Sequence, residues 1–258
     1  MKKILILGTL ALCLNLTLTQ AQPGPRSRGM GGGPPVGPNF GGTFAKLVGE
    51  NPGFSANMEF CVTNGGSDDM MMPGKIAYLD GKSRFEMNMA EMQGARMQAG
   101  ASEHLKQMGM DKMVAINLPE KRVSYHVYPG MEAYVEEPLR NPESTKAESD
   151  YTYETTKLGK ETFDGHPCLK NKVVATDKEG ATHESIVWNA TDLKDFPIRI
   201  ESVETHSTNT MVFRNVKFSK PDAAEFEPPA SYKKYDTMMA MMQDIIMKRM
   251  GGGMGMPH

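Results

Sequence analysis

Between Phe54 and Phe218 apolar side chains recur at every second position in short runs, and that period is what most restricts the fold. Ser83, Phe85, Met87 and Met89 alternate with Lys82, Arg84, Glu86 and Asn88, while Val123, Tyr125 and Val127 alternate with Arg122, Ser124 and His126. A period of two sends successive side chains to opposite sides of a strand, so each run predicts one covered and one wet face. Eleven runs are legible: 54–63, 74–80, 82–89, 112–118, 121–128, 131–136, 151–158, 167–176, 181–188, 198–204 and 209–218. Asp80-Gly81 between the second and third is a two-residue hairpin signal, because a type I′ turn needs positive φ at both central residues. Pro119-Glu120, Pro129-Gly130 and Lys178-Glu179-Gly180 separate later runs. Gaps this short leave no room for βαβ crossovers and predict an antiparallel meander.

Three segments read as helix. Thr43–Val48 can start at Thr43 and is ended by Gly49 and Pro52. Ala90–Gly109 interrupts the strand pattern and contains a short helix around 102–108. Asp236–Met250 is the clearest: Asp236 or Thr237 can cap it, Lys248 and Arg249 fall in its last turn, and Gly251 stops it. Its apolar stripe is Met238, Met241, Met242 and Ile245. Residues 22–42 are Gly/Pro-rich and predict a flexible leader, and 251–258 form a Gly/Met-rich tail. No repeat of domain scale is visible, so residues 43–250 are read as one domain.

The first 21 residues read as an address. Lys2 and Lys3 precede an apolar stretch from Ile4 to Leu18, and Thr19-Gln20-Ala21 supplies small residues at −3 and −1, which predicts cleavage before Gln22. Leu12 occupies the position before Cys13 where a lipidation signal needs a small residue. No later segment reaches 18 consecutive apolar residues, so no transmembrane segment is expected after the signal, and a periplasmic or secreted location follows. The 29 basic residues are outnumbered by 31 acidic ones, which argues against a nucleic-acid partner. Export also permits oxidation of Cys61 and Cys168. Cys61 falls opposite the stripe Phe54, Ala56, Met58, Phe60 and Val62, and Cys168 shares a face with Lys170 and Lys172. A disulfide between them and two separate thiols are both open at this point.

The chain resembles the LolA-like proteins, and more narrowly a LolA-like family of exported bacterial proteins of unknown function. The resemblance is carried by Gly74-Lys75-Ile76, by Asp80-Gly81-Lys82-Ser83-Arg84-Phe85-Glu86-Met87, and by the run from Lys121 to Tyr134. Gly159-Lys160-Glu161, Gly165-His166-Pro167-Cys168, Trp188, Pro197-Ile198-Arg199, and Phe226 with Pro228-Pro229-Ala230-Ser231-Tyr232 complete it, over roughly residues 43–245. It implies a mainly β fold: a curved antiparallel half-open β-barrel with a short N-terminal helix, a mid-chain helical insertion and a C-terminal helix. It also implies an apolar partner, since the LolA carrier holds acyl chains on the inner face of its half-barrel.

Catalytic signatures are missing: there is no G-x-S-x-G elbow, H-E-x-x-H, P-loop or C-x-x-C. The histidines are scattered singly and no carboxylates pair as acid and base, so neither an enzyme nor a cofactor is expected. His166-x-Cys168 more simply marks a strand entrance than a metal site. The unusual feature is Met, 23 of 258 residues, in groups such as Met70-Met71-Met72, Met87/Met89/Met92 and Met108/Met110/Met113. Thioethers suit Cu(I), which gives a copper-binding alternative, but Met also fills irregular cores and adaptable apolar surfaces. The leading expectation is a non-enzymatic carrier or binder of a lipid or other apolar ligand. Phe85, Met87, Tyr125 and Trp188 would line its groove, and Met238, Met241, Met242 and Ile245 would close it from the C-terminal helix. An envelope structural or interaction module with a filled core is the third reading.

Overall fold

The computed structural model describes residues 38, 40–49, 51–64, 69–94, 100–139, 150–203 and 207–251. These belong to one compact unit, Gly37–His258. The expected signal peptide, most of the expected leader, the expected tail after Gly251, His206 and His258 lie outside the described residues.

Eleven predicted runs appear as strands: β1 (Gly53–Thr63), β2 (Met70–Leu79), β3 (Lys82–Asn88), β5 (Lys112–Leu118), β6 (Val123–Tyr128), β7 (Ala133–Pro138), β8 (Tyr151–Phe163), β9 (His166–Asp177), β10 (Thr182–Ala190), β11 (Phe196–Val203) and β12 (Thr208–Lys217). Two short strands escaped the sequence reading: β4 (Gln93–Gly94) and β13 (Lys233–Tyr235). Neither is long enough to show a period, and each exists only because a neighbouring edge accepts it. Among the described residues the α-helices are α1 (Gly42–Leu47), α2 (Ala101–Met108) and α3 (Met238–Gly251). Thr237 caps α3, its hydroxyl accepting from the Ala240 amide at 3.1 Å. Thr43 caps nothing; α1 begins one residue earlier, after Gly41.

All thirteen strands form one open sheet in the order β13-β7-β6-β5-β3-β2-β1-β12-β11-β10-β9-β8, with β4 beside β2. Every pairing is antiparallel except β13 with β7, which is parallel. The Asp80-Gly81 turn has φ of 47° and 85°, as its hairpin requires. A second turn of the same kind, Asp164-Gly165 at 49° and 84°, joins β8 to β9. The chain runs outward from β1 to β7, then restarts at the far edge with β8 and winds back to β12 beside β1. The thirteen steps from Pro138 to Tyr151 reach at most about 45 Å. Ten strand spacings of a flat sheet separate those edges by about 48 Å, so the sheet has to curve.

The main core lies on the face that carries α1 and α3. Phe54, Met58, Phe60, Met72, Ile76, Tyr78, Phe85, Met87, Phe196, Ile198, Ile200 and Phe213 meet Phe40 and Phe44 from the α1 end and Met241 from α3. Phe40 falls within the segment expected to be a flexible leader. It is 5% exposed and its ring sits 5.0 Å from Phe44, so ordered packing begins before residue 43. Gly74 is required here: a Cβ would stand 2.4 Å from the Glu86 carbonyl oxygen and 2.5 Å from the Phe85 ring, which lies across it.

The opposite face holds a smaller cluster, Ala77, Leu79, Val114, Ile116, Leu118 and Val127, covered by Phe226. Phe226 ends a single 3-10 turn started by a capping box between Asp222 and Glu225, whose D-x-x-E spacing is legible in the sequence. The segment after β12 therefore covers the open face with Phe226, pairs with the β7 edge as β13, and sends α3 onto the helix-covered face.

Candidate functional site

The helix-covered face is rich in methionine. Met58, Met72, Met87, Met113, Met211 and Met241 are buried in its core, and Met70, Met89, Met92, Met110, Met131 and Met238 pack partly buried against it. Strand register sets the first group side by side: Met58 opposes Gly74, Gly74 opposes Met87, and Met87 opposes Met113. Unbranched thioether side chains repack at low cost, so this interior can change shape more easily than one built from branched residues.

α3 closes the face at the β7–β13 edge. Met241 is fully buried, and Met238 and Ile245 pack partly buried beside it. Met242 is half-buried and outside the cluster, so only three of the four expected stripe residues reach the core. Asp244 ties the helix to β13 through hydrogen bonds from Lys233 at 2.8 Å and from the Tyr235 hydroxyl. The outward side is also apolar: Met239, Ile246 and Met247 are 68%, 50% and 68% exposed.

Phe85 and Met87 share this face with α3, but Tyr125 and Trp188 do not. Tyr125 packs with Tyr134 on the open face, their ring centroids 5.9 Å apart, beside the cluster under Phe226. Trp188 opposes Arg199, which opposes Val212, which opposes Glu59, so it follows the strand row of the open face. Its packing is nevertheless continuous with the main core. Its ring lies between the Arg199 guanidinium at 4.6 Å and the Lys170 ammonium at 4.5 Å, and its indole N–H donates to Glu161. The groove lining expected from four aromatic and Met positions is thus split between two faces, because sequence alternation names a face only within its own strand.

No disulfide joins the cysteines; both are free thiols. Cys61 is on β1 and Cys168 on β9, with β12, β11 and β10 between them. Cys61 lies half-buried on the face opposite Phe60, where burial and then Glu59 push its thiol pKa up. Cys168 is 2% exposed and packs in the main core rather than on a wet face with its lysine neighbours, and burial raises its pKa too. Its thiol donates to the His166 carbonyl at 3.3 Å, while the His166 imidazole Nδ1 pairs with Asp192 at 2.8 Å. Among the described residues no group of three His, Cys, Asp or Glu side chains can hold a metal ion.

The open face carries a cavity of about 570 Å³. Its lining comes from β1, β2, β3, β5 and β12 and from two 3-10 turns that supply Glu91 and Pro129, and it includes Glu59, Lys75, Glu86, Lys112, Val114 and Arg214. It is a trough between two covers. On one side the capping turn seats Phe226 on the apolar cluster, of which Val114 is part. On the other the β8–β9 turn reaches across, Asp164 accepting from Arg214 Nε at 2.8 Å. In the sequence these charged positions look like ordinary wet faces. Their assembly depends on β12 lying beside β1, a pairing of segments some 150 residues apart that no local pattern announces.

An open, almost wholly antiparallel sheet, with a short helix before its first long strand, a helical insertion and a C-terminal helix across one face, is the arrangement expected from the sequence resemblance. Neither the protein-family models nor the curated proteins include a match to this chain. Among solved structures, similar ones include a LolA superfamily protein from Nitrosomonas europaea, 10% identical, covering 70% of this chain and 93% of that one with a TM-score of 0.36. The lipoprotein LppX from Mycobacterium tuberculosis is 9% identical, covering 63% and 85% at a TM-score of 0.37. A DUF1329 family protein from Desulfovibrio piger is 11% identical, covering 73% and 95% at a TM-score of 0.26.

Proposed function

We propose that this chain is an exported, non-enzymatic protein of the bacterial envelope that holds a lipid chain or similar apolar ligand on the helix-covered face, with α3 as the lid. The observation that carries the reading is the methionine content of that face, six buried and six partly buried residues beneath and around a helix held at one sheet edge. The face is filled as folded, so an acyl chain takes the place of α3 while methionine side chains repack along it. Burial of those methionines also favours a structural and lining role for them over Cu(I) capture. The test is native mass spectrometry of the mature protein purified from its own envelope. A co-purifying lipid and a mature N-terminus at Gln22 are expected. Protein that emerges empty and takes up no fatty acid on addition overturns the reading.

A second reading, an envelope interaction module with a permanently filled core, is favoured by the outward stripe Met239, Ile246 and Met247 on α3. It is distinguished by the same experiment, since such a module stays empty and is recovered with a protein partner.

A further inference from the structure

The trough on the open face is built from charges that are mostly satisfied within it. Glu59 accepts from Arg214 at 2.7 Å, and Arg214 is held a second time by Asp164 at 2.8 Å. Arg84 pairs with Glu86, and Glu91 accepts from the Asn88 amide at 2.7 Å. Glu91 keeps its charge, since Asn88 is neutral; of the four basic side chains of the lining, Lys75 on β2 and Lys112 on β5 have no hydrogen-bond or ion-pair partner among the described residues. Strand register puts both on the open face. Lys75 opposes Glu86 and Lys112 opposes Asn88, and Glu86 and Asn88 are on the same side of β3. The two lysines thus flank β3, two strands apart, with Glu86 already engaged by Arg84. The rest of the lining has an apolar share: Pro73, Val114 and Pro129, with Met58, Met87 and Met113 from the core side.

We propose that this trough binds a small amphipathic anion, its carboxylate or phosphate group set between Lys75 and Lys112 and its apolar body against Pro73, Val114 and Pro129. The sign follows from the lining, four basic side chains against three acidic ones, with Lys75 and Lys112 the two basic ones left without a partner. The size follows from the volume, which lies within the range of small-molecule sites, roughly 300–1,000 Å³. The pairs Arg214–Asp164 and Arg84–Glu86 hold the walls in place without a ligand, so the two ammonium groups are available without rearrangement. Met58, Met87 and Met113 of the methionine core also border the cavity.

The test titrates the full mature chain with octyl phosphate, octanoate, inorganic phosphate and octanol. The two eight-carbon anions distinguish a phosphate head from a carboxylate. The variant Lys75→Gln/Lys112→Gln changes two exposed side chains, and its circular dichroism and melting curve check that the fold is kept. Binding of at least one amphipathic anion, weakened tenfold or more in this variant and weakened by added salt, is the expected result. Octanol should bind the two proteins alike. Equal binding of the anions by wild type and variant overturns the proposal, as does inorganic phosphate binding as tightly as octyl phosphate, since the apolar wall would then have no part. The variant Met238→Ser/Met241→Ser/Ile245→Ser separates the two faces. Loss of anion binding there but not in the lysine variant removes the trough proposal and leaves the lid reading standing.

Discussion

Detaching α3 is the sharpest perturbation of the lid. Met241 is fully buried and Met238 and Ile245 partly so. Replacing a buried Met by Ser loses about 2–3 kcal/mol, counting the transfer of its side chain and the cavity left behind. The two partly buried positions lose about 1 kcal/mol each on the same scale, so Met238→Ser/Met241→Ser/Ile245→Ser weakens docking by about 4–5 kcal/mol. A free helix of 14 residues is marginal in water, so the released segment should also lose helicity. The expected result is a drop in far-UV helical signal, rapid hydrogen exchange confined to 238–251, a urea midpoint for the sheet close to wild type, and altered affinity for a fluorescent fatty acid. Met239→Ser/Ile246→Ser/Met247→Ser, on the exposed side, should shift stability by no more than about 0.5 kcal/mol and serves as control. If the whole protein instead loses about 4–5 kcal/mol in one cooperative transition, α3 is part of a solid core and the lid reasoning fails.

Gly74→Ala should destabilise by about 2–3 kcal/mol, because its Cβ would stand 2.4 Å from backbone that cannot move without disturbing β3; a melting curve unchanged from wild type would refute this. His126 on β6 has its imidazole pKa lowered by burial, with Glu137 partly opposing. The unfolded chain therefore takes up this proton first, so stability present above about pH 6.5 falls as the pH drops toward the depressed folded value. Melting temperatures between pH 7.5 and 5 should fall more steeply for wild type than for His126→Gln, and parallel curves would refute the assignment. Both thiols should remain titratable after aerobic purification. Cys61 should alkylate slowly in the native state and Cys168 only on unfolding, and a mass two units below the reduced value would show a disulfide instead.

The strands were legible because their alternation is local. Phe85 and Met87 on one side of β3, and Arg84 and Glu86 on the other, are assigned by counting along seven residues. Asp80-Gly81 was equally readable, since positive φ at two consecutive positions selects those residues wherever they occur. The same alternation could not say which face of one strand continues into which face of another. Alternation therefore groups Tyr125 with Phe85 although Tyr125 lies on the open face, and leaves Cys61 and Cys168 as potential partners although three strands divide them. Strands without length had no signal: β13 is three residues whose only reason to be extended is the free edge of β7. The trough is the plainest case. Each of its lysines and arginines reads as an ordinary wet-face residue, and only the pairing of β12 with β1 and the reach of Asp164 to Arg214 bring them round one cavity. Local sequence determines what each strand can bury; the curvature of the sheet, and the covers that cross it, decide which of those surfaces meet, because those contacts join residues far apart in the chain.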